Sequence, residues 1–126
     1  MRVLKTKVFG RFQRKERIAD RSLLEAVRTA ENGLIDADLG NGLIKQRVAR
    51  PGEGKRGGYR TIIAYREDDR AVFLYGFAKN AKSDLEMEEL AALARIGARW
   101  LSATAHEIEV AVAANEVTEV ADEQAE

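Results

Sequence analysis

The chain has 126 residues, 45% hydrophobic and 33% charged, with 21 Lys+Arg balanced by 21 Asp+Glu. That length fits one compact domain. No stretch approaches the ~20 consecutive apolar residues of a membrane span, and the absence of cysteine removes disulfide frameworks and thiolate zinc sites. The zero net charge hides a division, because residues 1–82 hold 19 Lys+Arg against 10 Asp+Glu while residues 83–126 hold 2 against 11. Such asymmetry points to a nucleic-acid partner, to an acidic solubilising tail on a basic domain, or to both.

Along the chain, Arg2 to Phe9 alternates and is rich in β-branched and aromatic residues, which predicts a strand. In it Lys5 and Lys7 share one face, opposite Leu4 and Val8. After Gly10, the basic segment RFQRKER predicts a short helix or turn. Asp20 or Ser22 is placed to cap a helix to about Glu31, and Asn32-Gly33 is a good stop. LIDADLGNG then reads as a loop or a helix fragment. Three strands follow in close order, Leu43 to Arg50, Tyr59 to Arg66 and Ala71 to Lys79, forming an antiparallel meander. A glycine-rich basic loop fills the first gap and the acidic turn Glu67-Asp68-Asp69 the second. From Asp84 the period becomes helical, through Leu85, Leu90, Leu93, Ile96 and Leu101, and Thr104 to Glu107 resembles a capping box opening another helix.

The expected fold is therefore α+β: a small antiparallel sheet of about four strands, helices on one face, and a C-terminal helical extension. With no apolar segment of signal-peptide length in MRVLKTKVFG, the chain is expected in the cytoplasm, with no membrane partner.

Alternation puts Lys45 and Arg47 on one face, opposite Ile44 and Val48. Arg60 and Arg66 share parity in the next strand, along with Ile62 and Ala64. If helices cover one face, these cations gather on the other, a positive concavity bordered by the loop with Lys55 and Arg56. Basic residues are also common on any exposed sheet face. The loop is not a nucleotide-binding P-loop, because Ala49 and Arg56 stand where that pattern needs a glycine and a hydroxyl, and a strand follows instead of a helix. Its backbone N–H groups are still able to receive a phosphate, although a tight hairpin explains Gly57-Gly58 equally well. No His/carboxylate cluster stands out, so neither a metal nor another cofactor is expected.

The stretch GLIKQRVARPGEGKRGGYRTIIAYR, followed by AVFLYGFAKNAKSD, resembles a RelE-like branch of the RelE/ParE toxins of type II toxin–antitoxin systems. The branch carries a K-x-R…G-K-x-G-G-Y-R strand–loop–strand and an A-K-N end to the last strand. The resemblance covers about residues 1–101, leaving 102–126 as an acidic extension. It implies a metal-independent endoribonuclease that cuts mRNA, in some members on the ribosome. It also implies a cognate antitoxin, often a helix-turn-helix protein, as inhibitor. ParE relatives instead poison DNA gyrase, and a nucleic-acid-binding protein without catalysis is a third possibility.

By motif position the resemblance assigns Lys45, Arg60 and Lys79 to catalysis. Arg60 and Lys79 would stabilise charge, and Lys45 or Lys55 would act as base or phosphate clamp. Arg47, Arg56 and Arg66 would hold flanking phosphates. Tyr59 is available to stack on a base, although a strand aromatic is more often core. No clear aromatic acid or base follows Lys79-Asn80; Tyr75 is a weak substitute, and His106 is expected on a surface helix among glutamates.

Overall fold

The computed structural model describes residues 1–50, 54–79, 82 and 84–121, with the backbone alone for 54–56. The elements run β1 (Arg2–Thr6), α1 (Lys7–Glu16), α2 (Asp20–Glu31), β2 (Ala37–Gly40), β3 (Leu43–Arg50), β4 (Gly54–Arg66), β5 (Arg70–Ala78), α3 (Met87–Ser102), α4 (Ala105–Ala113) and β6 (Val117–Glu119). The class is α+β, and the meander β3–β4–β5 forms as expected.

The sheet is larger than expected and is not purely antiparallel. Among the described residues it has six strands, ordered β2-β3-β4-β5-β1-β6. β1 lies parallel to β5, from Arg2 opposite Arg70 to Lys5 opposite Phe73. β2, where a loop or a helix fragment is expected, pairs with β3 across Asn41-Gly42, whose φ values of 53° and 76° are those of a primed hairpin turn. The stretch after residue 101 supplies α4 and β6, and its Ile108, Ala111, Val117 and Val120 are buried.

The strand expected over Arg2 to Phe9 ends at Thr6. The Thr6 hydroxyl accepts the Phe9 N–H at 3.2 Å, so the residue caps α1 instead of extending β1. Lys7 is therefore helical and does not share a strand face with Lys5. Phe9 turns inward, its ring 5.0 Å from that of Phe73. α2 begins without a side-chain cap, after Ala19. Asp20 instead accepts bonds from Lys5 and Gln13, at 3.1 and 2.7 Å.

Helices cover both faces of the sheet, not one. Phe9, Leu23 and Val27, from α1 and α2, pack with Ile44, Val48, Ile63 and Phe73 on one side. Leu93, Trp100 and Ile108, from α3 and α4, pack with Leu43, Ile62, Ala64 and Leu74 on the other. The physical reason lies in the central strands. Ile62-Ile63-Ala64 and Val72-Phe73-Leu74 are apolar without alternation, so each strand has two faces to remove from water. Gly97 lets α3 approach closely, since a Cβ there would lie 2.8 Å from the Leu43 Cδ2.

Candidate nucleic-acid interface

α3 meets the sheet over Leu43, Ala64 and Leu74. Farther along the same face, register sets two cross-strand rows. Arg47 of β3 stands opposite Arg60 of β4, which stands opposite Phe77 of β5. In the adjoining row Lys45 lies opposite Ile62, and Ile62 opposite Tyr75. Directly opposed residues project from the same side of a sheet. Lys45, Arg47 and Arg60 are thus brought together, as their alternation predicts.

Arg60 differs from the surface cation expected there. It is 7% exposed, and its Nη1 is buried with no hydrogen-bond partner among the described residues. Burial, and then the neighbouring Arg47, push its pKa below the usual guanidinium value, with Asp36 opposing. An arginine keeps its charge through such a shift. The result is a desolvated cation, beside a second cation, with an unused donor. Native proteins rarely leave such a group unpaired, and an incoming anion satisfies both the donor and the charge.

Its neighbours already have carboxylates. Arg47 Nε lies 3.3 Å from Asp36 Oδ2, and Lys45 Nζ 3.3 Å from Asp84 Oδ1. Lys82 Nζ contacts Glu89 Oε1 at 2.5 Å, which raises the lysine pKa. Tyr75 Oη donates to Glu89 Oε2 at 3.5 Å, the long limit of a hydrogen bond. Lys79 is exposed in the turn just beyond β5, not in the strand.

Two predicted site residues belong elsewhere. Arg66 shares the face of Arg60, but six residues along a strand is roughly 20 Å. Its Nε and Nη2 donate to the Asp69 carboxylate at 2.7 Å each, and Nη1 to Leu101 O at 2.8 Å. It ties the β4–β5 turn to the end of α3 and is not a phosphate ligand in this cluster. Tyr59 is 2% exposed on the opposite face, its ring edge-on to Phe12 at 5.6 Å, so it cannot stack on a base. Alternation from Arg60 requires this placement.

The side chains of Lys55 and Arg56, and Asn80 of the A-K-N motif, lie outside the described residues. The glycine loop is shorter than expected, because β4 already starts at Gly54. Gly58 lies within β4, and a Cβ there would collide with Val48 O. Close pairing of β3 and β4, the strands bearing Arg47 and Arg60, accounts for that glycine. His106 is exposed on α4. Sequence reasoning missed Asp36, Asp84, Lys82 and Glu89. The pair Glu86/Glu89, a capping box at the start of α3, carried the signal for the last of these.

The model of the RelE toxin of the RelE/RelB toxin–antitoxin system matches residues 1–120. The chain belongs to the RelE family. It is accordingly a toxin of a toxin–antitoxin system, with a cognate antitoxin as partner. No curated protein matches the chain. The family match extends through α4 and β6 of this RelE toxin, the elements that complete its second core. Among its described residues no group of three or more His, Cys, Asp or Glu converges, and no helix is long and apolar enough to cross a membrane. What the face offers is one buried guanidinium with an unbonded nitrogen, Arg60, among cations already paired with carboxylates, an arrangement suited to an anion.

Proposed function

We propose that this RelE toxin is a metal-independent endoribonuclease that cuts mRNA, acts on the ribosome-bound message, and is inhibited by its antitoxin. The 2′-oxygen bonds to the adjacent phosphorus while the bond from phosphorus to the 5′-oxygen breaks. The 2′-hydroxyl proton leaves to a base, and the departing 5′-oxygen gains one. Negative charge accumulates on the phosphoryl oxygens between these events. Arg60 stabilises that charge, with Lys79 beside the chain leaving β5. Arg47 and Lys45 hold the strand, and the ribosome supplies proton transfer. The observation that supports the reading is the unpaired, buried Nη1 of Arg60 directly opposite Arg47.

Expression of the toxin, with and without Arg60→Met, tests it by mapping message ends alongside growth. Cut messages with wild type, and intact messages with an equally abundant variant, are expected. Growth arrest with intact messages and broken DNA would instead indicate a gyrase poison.

A further inference from the structure

Lys45 and Arg47 are two residues apart on one strand face, about 7 Å along the chain. Each is matched by a carboxylate, but the two carboxylates are not equivalent. Asp36 is fixed at the sheet edge, where its N–H donates to the buried Gln46 side chain at 2.8 Å. Asp84 stands on the segment between β5 and α3, and its side chain is 64% exposed. Its Oδ1 accepts both the Leu85 N–H at 2.8 Å and Lys45 Nζ at 3.3 Å. The backbone bond from Leu85 chiefly, against burial and with help from Lys45, holds this carboxyl below its ordinary range, so it is an anion at neutral pH. An aimed anionic oxygen therefore occupies the Lys45 position, one row from Arg60, whose Nη1 has no hydrogen-bond partner among the described residues.

The geometry points to Asp84 as an internal stand-in for a phosphate, displaced from Lys45 when an RNA strand binds. This inference rests on the proposed function and deepens it. The substrate presents two successive phosphodiesters of a single strand, one to Arg47 and Arg60 and the next to Lys45. The two subsites differ in kind. At Arg60 the phosphate oxygen accepts a hydrogen bond from the N–H donor of Nη1 that has no other partner among the described residues. At Lys45 it exchanges one ion pair for another, so Asp84 opposes binding there and sets the affinity for the neighbouring phosphate.

The test measures binding of a 2′-O-methyl RNA oligonucleotide, which cannot be cut, by fluorescence anisotropy at fixed ionic strength. Asp84→Asn removes the charge and keeps an oxygen for the Leu85 N–H. It is expected to tighten binding roughly three- to tenfold, and Lys45→Met in the same chain should abolish that gain. Glu67→Gln, in the turn at the other end of the sheet, changes net charge equally and should gain less than about twofold. An undiminished gain in the Lys45→Met background, or one no larger than that of Glu67→Gln, overturns the inference. If binding depends on Arg60 and Asp84→Asn changes nothing, this inference fails alone. If no variant binds the strand, either free or presented on ribosomes, the proposed function fails with it.

Discussion

Arg47 and Arg60 stand directly opposite one another in the β3–β4 ladder, yet among the described residues only Arg47 forms an ion pair, with Asp36, while Nη1 of Arg60 has no hydrogen-bond partner. Like charges at opposed positions destabilise a sheet, and a buried donor without a partner costs about 1–3 kcal/mol. Arg60→Met keeps much of the side-chain volume and removes both penalties. Urea denaturation is expected to show the variant more stable by ~1 kcal/mol, while growth arrest is lost. Pyrophosphate should raise the melting temperature of the wild type and not of the variant. A destabilised variant would mean that Arg60 serves the fold.

Arg66 provides the contrast. It has the same parity as Arg60 and the same charge, but Asp69 and Leu101 O occupy its donors. Arg66→Ala should therefore lower the melting temperature modestly and leave message cleavage by the folded protein unchanged. A loss of cleavage without any change in melting would return Arg66 to the site.

Gly58→Ala links the backbone to the site. The added methyl would strike Val48 O, a backbone atom that moves only if β3 and β4 separate. A loss of about 2–3 kcal/mol is expected, with growth arrest impaired as well because Arg47 and Arg60 depend on that ladder. Wild-type stability in chemical denaturation would show that the strands tolerate the wider spacing.

Asp20 joins three parts of the chain, accepting from Lys5, from Gln13 and from the Ala121 N–H at 3.3 Å. Burial alone would push its carboxyl up, but the Gln13 and Lys5 bonds outweigh it and lower the pKa from the usual 3.8. A depressed folded pKa means that stability is present above the unfolded value and is lost as pH falls through the folded one. Asp20→Asn should cost about 1–2 kcal/mol at pH 7. Its difference from wild type should shrink as pH drops below about 4. A difference independent of pH in denaturant titrations would show that the charge is not involved.

Much of the candidate site was legible because strand parity is a rigid rule. Lys45 and Arg47 follow from alternation, and the opposite placement of Tyr59 and Arg60 follows from their adjacency. Parity does not say how far along a strand a residue lies, or what reaches it. Arg66 differs from Arg60 because the acidic turn after it brings the Asp69 carboxylate three residues away onto its guanidinium.

The larger departures of the fold from strand and helix periodicity have local causes. Thr6 ends β1 by capping a helix, against the β-propensity of the residues around it. β2 depends on Asn41-Gly42, a strong hairpin signal between Leu39 and Leu43 that outweighs the expectation of a loop or helix fragment. The second helical layer was written in Ile62-Ile63-Ala64, where two adjacent apolar residues exclude a water-facing side. The carboxylates on Lys45 and Lys82 come from residues distant in sequence or across a helix start, beyond the reach of strand periodicity.

The most direct measurement is the single-turnover rate of message cleavage on translating ribosomes by purified wild type and folded Arg60→Met. Loss of one well-placed donor to a charged transition state slows reaction about 10²–10³-fold, and a drop of at least ~100-fold is expected with cut sites unchanged. Equal rates from the two proteins would contradict the role given to Arg60.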